Sequence, residues 1–214
     1  MSAAGARSAP EVGLNGGPEK FVLTDARHPL EVEAELLPDV LECLLHHIIF
    51  HRALVGKAVV PKDMVLLDDL YYVKCGDARI VQQVRDSAES AGLALTSTRD
   101  RSGAVTLTFY ERVSGGLLGE KMLGPWEEWS IHVLVRTEPS FGDREEQLRR
   151  KEFEARVREL LWTVQKLVNS HRDHLPKEGL NDASAVCYPF DIKDPSKTGR
   201  GGLFAGMGNL LAGI

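Results

Sequence analysis

Three histidines, His46, His47 and His51, are close together in the sequence. His47 and His51 have the i, i+4 spacing that turns two imidazoles to one helix face, where they could hold zinc. A zinc hydrolase built on that spacing also needs a glutamate directly after the first histidine as general base. Here Ile48 follows His47, so the base is absent. The other reading is three histidines on a buried helix, bonded locally. A second pair, His171 and His174, brackets Asp173. It falls where a long helix ends, and cationic side chains are favoured there by the helix dipole alone. No serine stands in a GxSxG elbow, and no cysteine carries a catalytic signature. Asp68 with Asp69, and Asp191 with Asp194, supply carboxylates, but two acids are not by themselves an acid–base pair. The glycine-rich tail contains neither GxxxxGK[ST] nor GxGxxG opening a long helix. No catalytic set, cofactor site or metal site is expected, so the chain does not read as an enzyme.

Binding fits the residues better. Trp162 lies on the polar side of the long helix, one turn from Arg158 and one from Lys166, and tryptophan is common among interface anchors. Leu117 and Leu118 form an apolar pair inside a glycine-rich loop that also holds Met122, and loops carry function. These six residues are the candidate partner contacts. The competing readings are that Trp162 packs under the last strand or the tail, and that Leu117 and Leu118 fold onto the core.

The elements that must position these residues follow from periodicity. Trp129, Ile131, Val133 and Val135 alternate with polar neighbours across 124–137, the pattern of a half-buried strand. Val105, Leu107 and Phe109 do the same over 104–112. Residues 113–123 between them read as a loop. Phe21–Thr24 is a short first strand. Leu41, Leu44, Leu45, Ile48 and Ile49 mark a helix over 36–52, and Val40, Cys43 and Phe50 off that stripe predict burial on more than one side. Met64–Lys74 reads as one strand with a bulge at Asp68–Asp69. Asp77 is placed to cap a helix that Gly92 would stop. The longest helix spans 142–172, with an apolar stripe of Phe153, Val157, Leu160, Leu161, Val164, Leu167, Val168 and His171. Ser184–Ile192 is a last extended segment that Pro189 confines to an edge. The order predicts an α+β fold, a small mainly antiparallel sheet with three helices on one face.

The chain has 214 residues, 43% hydrophobic and 27% charged, which suits one globular domain with tails. We expect residues 1–19 to be a disordered extension, 20–195 the domain and 196–214 a flexible tail. Its Leu203, Phe204, Leu210 and Leu211 could form a short partner-binding or membrane-touching segment. A net charge of −5 argues against a general binder of nucleic acid or anionic membrane. Three widely spaced cysteines with no CxxC partner suit a reducing compartment. Without an apolar leader or a spanning run, the expected location is cytoplasmic, with no stable membrane insertion.

The run FHRALVGKAVVPKDMVLLDDLYYVKCGD, Phe50–Asp77, resembles the autophagy-related protein 101 family, its green-plant form above all. Leu107–Glu111 (LTFYE), Trp126–Trp129 with its two acids, and Tyr188–Ile192 (YPFDI) match in the same order and spacing. The resemblance covers about residues 20–195. It implies a HORMA domain, with a C-terminal segment clasping the sheet. It also implies a non-catalytic subunit of the autophagy-initiating kinase complex. Such a subunit pairs as a heterodimer with the HORMA domain of autophagy-related protein 13, stabilises it and helps recruit later factors at the phagophore assembly site. Where the family carries a Trp-Phe pair on a protruding loop, this sequence has VSGGLLGEKML. Leu117 and Leu118 stand there, with apolar area but no ring. The alternative is a HORMA protein of checkpoint or chromosome signalling that clasps a partner peptide.

Overall fold

The computed structural model of the chain describes residues 17–52, 60–67, 69–114, 120–136, 143–176 and 188–195, without the side chains of 112–114, 120–123 and 143. Its elements run β1 (Glu19–Thr24), β2 (Leu30–Glu33), α1 (Leu37–Arg52), β3 (Pro61–Leu66), β4 (Leu70–Cys75), α2 (Ala78–Ser97), β5 (Ser102–Ser114), β6 (Glu120–Arg136), α3 (Asp143–Ser170) and β7 (Phe190–Lys193).

Two long strands carry the sheet. β5 and β6 pair antiparallel, with Val105 opposite Ile131, Leu107 opposite Trp129 and Phe109 opposite Glu127. Residues opposite one another share a face, and these six are all at most 1% exposed. β1 and β2 follow one another along the far edge of β6, both parallel to it. β7 closes the other edge, antiparallel to β5, with Phe190 opposite Phe109 and Ile192 opposite Leu107. The path is β1-β6-β5-β7, with β2 also on β6.

The helices supply the other layer. In α1 every residue from Val40 to Ile49 is buried, so the expected burial on several sides is met. α3 buries Val157, Leu160, Leu161, Val164 and Val168, with Phe153 and Leu167 packed partly against the core. His171, expected on that stripe, instead lies just past the helix and is exposed, its ring centre 5.2 Å from that of Phe21 in an edge-to-face contact.

Three expectations are corrected and one strand is added. The segment read as one bulged strand over Met64–Lys74 is a hairpin, β3 and β4, forming its own two-stranded sheet. Leu67, at its tip, has a φ of 61°, a left-handed value that reverses the chain where a bulge had been expected. Gly92 does not stop α2, which runs on to Ser97 and is capped by Thr98, whose backbone N–H bonds to Ala94. A Cβ at Gly92 would lie 3.3 Å from the Pro38 ring, so this glycine lets α2 approach the start of α1. The loop expected over 113–123 is shorter, because β5 reaches Ser114 and β6 begins at Glu120. Finally β2, which had no sequence signal beyond two alternating apolar residues, Leu30 and Val32, is a strand. The cap predicted at Asp77 is present, its carboxylate accepting from the N–H groups of Arg79 and Ile80 at 2.9 and 3.2 Å.

Candidate functional site

The histidine cluster is part of the helix packing. His46 is fully buried, and neither ring nitrogen has a hydrogen-bond partner among the described residues. Burial first, and Lys74 second, holds its pKa down at about 3. His47 donates from Nε2 to the Leu161 carbonyl at 3.2 Å, tying α1 to α3. Burial and then His51 bring its pKa to about 4, against the pull of that carbonyl. Both imidazoles are therefore neutral near pH 7. The rings of His47 and His51 meet edge to face at 4.5 Å. Among the described residues no group of three His, Cys, Asp or Glu gathers where it could hold a metal ion.

The other candidate chemistry also has structural partners. Burial raises the Cys43 thiol pKa, with Glu42 adding to it, and brings Cys75 up to about 11, with Asp77 adding to it. Neither thiol is poised as a nucleophile; Cys187 lies outside the described residues. Asp194 is buried and accepts from Ser90 Oγ at 3.1 Å, while Gln83 donates to the Phe190 carbonyl at 3.3 Å. Together these bonds fasten β7 to α2. Asp68 lies outside the described residues, and Asp69 accepts from Arg158 at 3.1 Å.

His174 does not pair with Asp173. It reaches Glu127, in a buried charge node that the sequence reading did not find. Glu127 is fully buried on the inward face of β6. Arg52, at the end of α1, donates from Nε to both its oxygens at 2.8 and 2.6 Å, and from Nη1 to the Val168 carbonyl at 3.1 Å. Trp129 Nε1 and His174 Nε2 each donate to it at 2.5 Å. The Arg52 guanidinium also lies 5.6 Å from the centre of the Phe21 ring. One carboxylate thus joins the end of α1, the sheet and the segment leaving α3. A signal for it was present. Glu127 stands two residues before Trp129, so the alternation puts both on the same face.

The partner candidates separate. Trp162 is 60% exposed, which decides against packing under the described parts of the core. It lines a depression of about 280 Å³ with Arg158, Leu161, Gln165, His47, Leu70 and Tyr71. Tyr71 is 68% exposed and was missed, because reading β3 and β4 as one strand hid the outward face of the hairpin, where it sits opposite Val65. Val65 is exposed as well. Lys166 is exposed one turn beyond Trp162 but does not line the depression. Met122 is in β6 opposite Arg112, with its side chain outside the description. Leu117 and Leu118 lie outside the described residues.

An α+β fold with a mostly antiparallel sheet, three helices and a late strand closing one edge is the HORMA-like arrangement. Comparison with known proteins makes this particular. The family model of autophagy-related protein 101 matches residues 29–180. Autophagy-related protein 101 of Arabidopsis thaliana is 31% identical over 190 residues, covering 79% of this chain and 85% of the relative. The chain belongs to the autophagy-related protein 101 family, and that membership gives it a role in autophagy. No helix among the described residues is long and apolar enough to cross a membrane.

Proposed function

We propose that the protein is a non-catalytic adaptor of the autophagy-initiating kinase complex. Residues 20–195 form its pairing unit, and it pairs with and stabilises the HORMA domain of autophagy-related protein 13. It works in the cytoplasm and gathers at the phagophore assembly site when autophagy is induced. Family membership over most of the chain supports the setting. The observation that carries the pairing surface is the exposed Trp162, with Tyr71 beside it across a shallow depression. Two large aromatics this open to solvent mark an interaction surface more often than a neutral one. Arg158, held by Asp69, forms part of the rim.

Co-expression with autophagy-related protein 13 from the same organism, followed by size-exclusion chromatography, tests the pairing. A one-to-one complex is expected. Two folded proteins eluting apart would refute it and favour the peptide-clasping alternative. Trp162→Ala is expected to weaken the complex by about 2 kcal/mol or more, the loss typical of an interface anchor. Its own stability should change by no more than about 0.5 kcal/mol, as for other exposed positions. A drop in melting temperature that parallels the lost binding would place Trp162 in a folding role instead.

A further inference from the structure

Nearer the start of α3, a second cleft of about 240 Å³ lies between that helix and the edge of the sheet. Three arginines line it. Arg149 and Arg156 share one face of α3 with Phe153, at i, i+4 and i+7. Arg136 is the last residue of β6. Two carboxylates, Glu31 and Glu152, line it too, and Glu145 and Glu159 pair with Arg149 and Arg156 from outside it.

We infer that this cleft binds a phosphorylated serine or threonine of a partner chain, lying extended beside β2. The donor inventory supports a phosphate. A guanidinium has five N–H groups. Arg149 donates from Nη2 to Glu145 and Arg156 from Nη1 to Glu159, each at 2.6 Å. Those two glutamates are not among the cleft's lining residues. Arg136 directs Nε, at 2.6 Å, and Nη2 to a single oxygen of Glu31. Each arginine therefore keeps further N–H groups for a ligand. Their side chains are 33–45% exposed, and ion pairs this open contribute little, so they can be exchanged. A phosphate monoester carries close to two charges and three strong acceptors, and it suits the planar arginine fork better than a carboxylate does.

The surroundings favour a peptide over a membrane. A flat anionic bilayer would meet Glu31, Glu145, Glu152 and Glu159 together with the arginines, on a chain whose net charge is −5. A single phosphate on a stem enters between them. Beside the cleft, β2 has β6 as its one strand neighbour among the described residues. Pro29, Leu30 and Glu31 line the cleft, which places β2 beside the phosphate site, where an extended chain would lie as in recognition by strand addition. Phe153, partly buried against the core, gives the cleft an apolar wall for the stem.

The test uses the full chain and a degenerate peptide library centred on phosphoserine or phosphothreonine, with its unphosphorylated twin. Retention of the phosphorylated library is expected to exceed that of the twin by about tenfold or more, one decade of affinity. Arg149→Gln with Arg156→Gln should remove that preference without lowering the melting temperature. Arg156→Lys, which keeps the charge but loses the fork, should weaken it. Trp162→Ala should leave it intact, which separates this site from the pairing face. Equal retention of the two libraries would overturn the proposal. So would an unchanged preference in the double variant, competition by inorganic phosphate with no peptide retained, or capture by phosphoinositide vesicles in place of the peptides.

Discussion

Replacing Arg52 with methionine should remove about 3–5 kcal/mol of folding stability, the usual consequence of stranding a buried charge. Arg52 and Glu127 have side chains 1% and 0% exposed. Desolvating both is unfavourable, and the contact of Nε with both carboxylate oxygens offsets it only while both are present. In Arg52→Met the carboxylate of Glu127 keeps Trp129 and His174 as donors but loses its cation. A typical domain has about 5–15 kcal/mol in total, so the variant should be near its unfolding threshold. The diagnostic is the pair. Arg52→Met with Glu127→Gln removes the stranded charge and keeps a carbonyl acceptor for Trp129, while the amide N–H faces His174 Nε2, which accepts it in its other tautomer. Urea unfolding should find the double variant more stable than Arg52→Met alone. If the second substitution adds a further loss, the cause is packing and the ion pair is not the reason. The comparison also survives poor folding of the single variant, because rescue by the second substitution is the readout.

The second large effect is acid sensitivity. His46 and His47 have folded-state pKa values of about 3 and about 4, below the ordinary value of about 6.5. His51 is lowered too, by burial. Between about pH 6.5 and pH 4 the unfolded chain therefore binds protons that the folded chain does not. Stability is fully present above about pH 6.5 and falls as pH is lowered through that window. The slope is at most about 1.4 kcal/mol per pH unit for each fully shifted histidine. Free carboxylates have reference pKa values of about 4, so the upper part of the window reports the histidines. Unfolding free energy measured at pH 7.5, 6.5 and 5.5 should fall steeply on the acid side. His46→Met should flatten the slope, because methionine fills comparable space without a proton site. An unchanged slope would mean that His46 is protonated in the folded state.

Both effects come from groups that the sequence displayed without revealing their use. The three histidines were conspicuous and suggested zinc; the structure uses His46 and His47 to fill the seam around α1. Glu127 is one of two acids between Trp126 and Trp129, and Arg52 belongs to the run that carries the family resemblance, with nothing in the sequence linking them. They are 75 residues apart in the chain, and only the meeting of the end of α1 with β6 brings them together. The long elements were legible, because alternation over 104–112 and 124–137 and the helical stripes of α1 and α3 report which side faces the core. Short elements were not. β2 has two inward residues, too few for a period to be read, and the β3–β4 hairpin was hidden because Asp69 interrupts what otherwise reads as one strand.

The sequence by itself determined the α+β class, the order of the main elements, the cap at Asp77 and, through Phe50–Asp77, the family. These depend on local preference and on the period of apolar residues, which a chain carries whatever it touches. The tertiary structure alone decided which polar groups share a site. It set Glu127 under Arg52 and His174, brought Tyr71 beside Trp162, and placed Arg136 in one cleft with Arg149 and Arg156. Such meetings depend on how distant elements cross, and no spacing within one segment encodes that crossing.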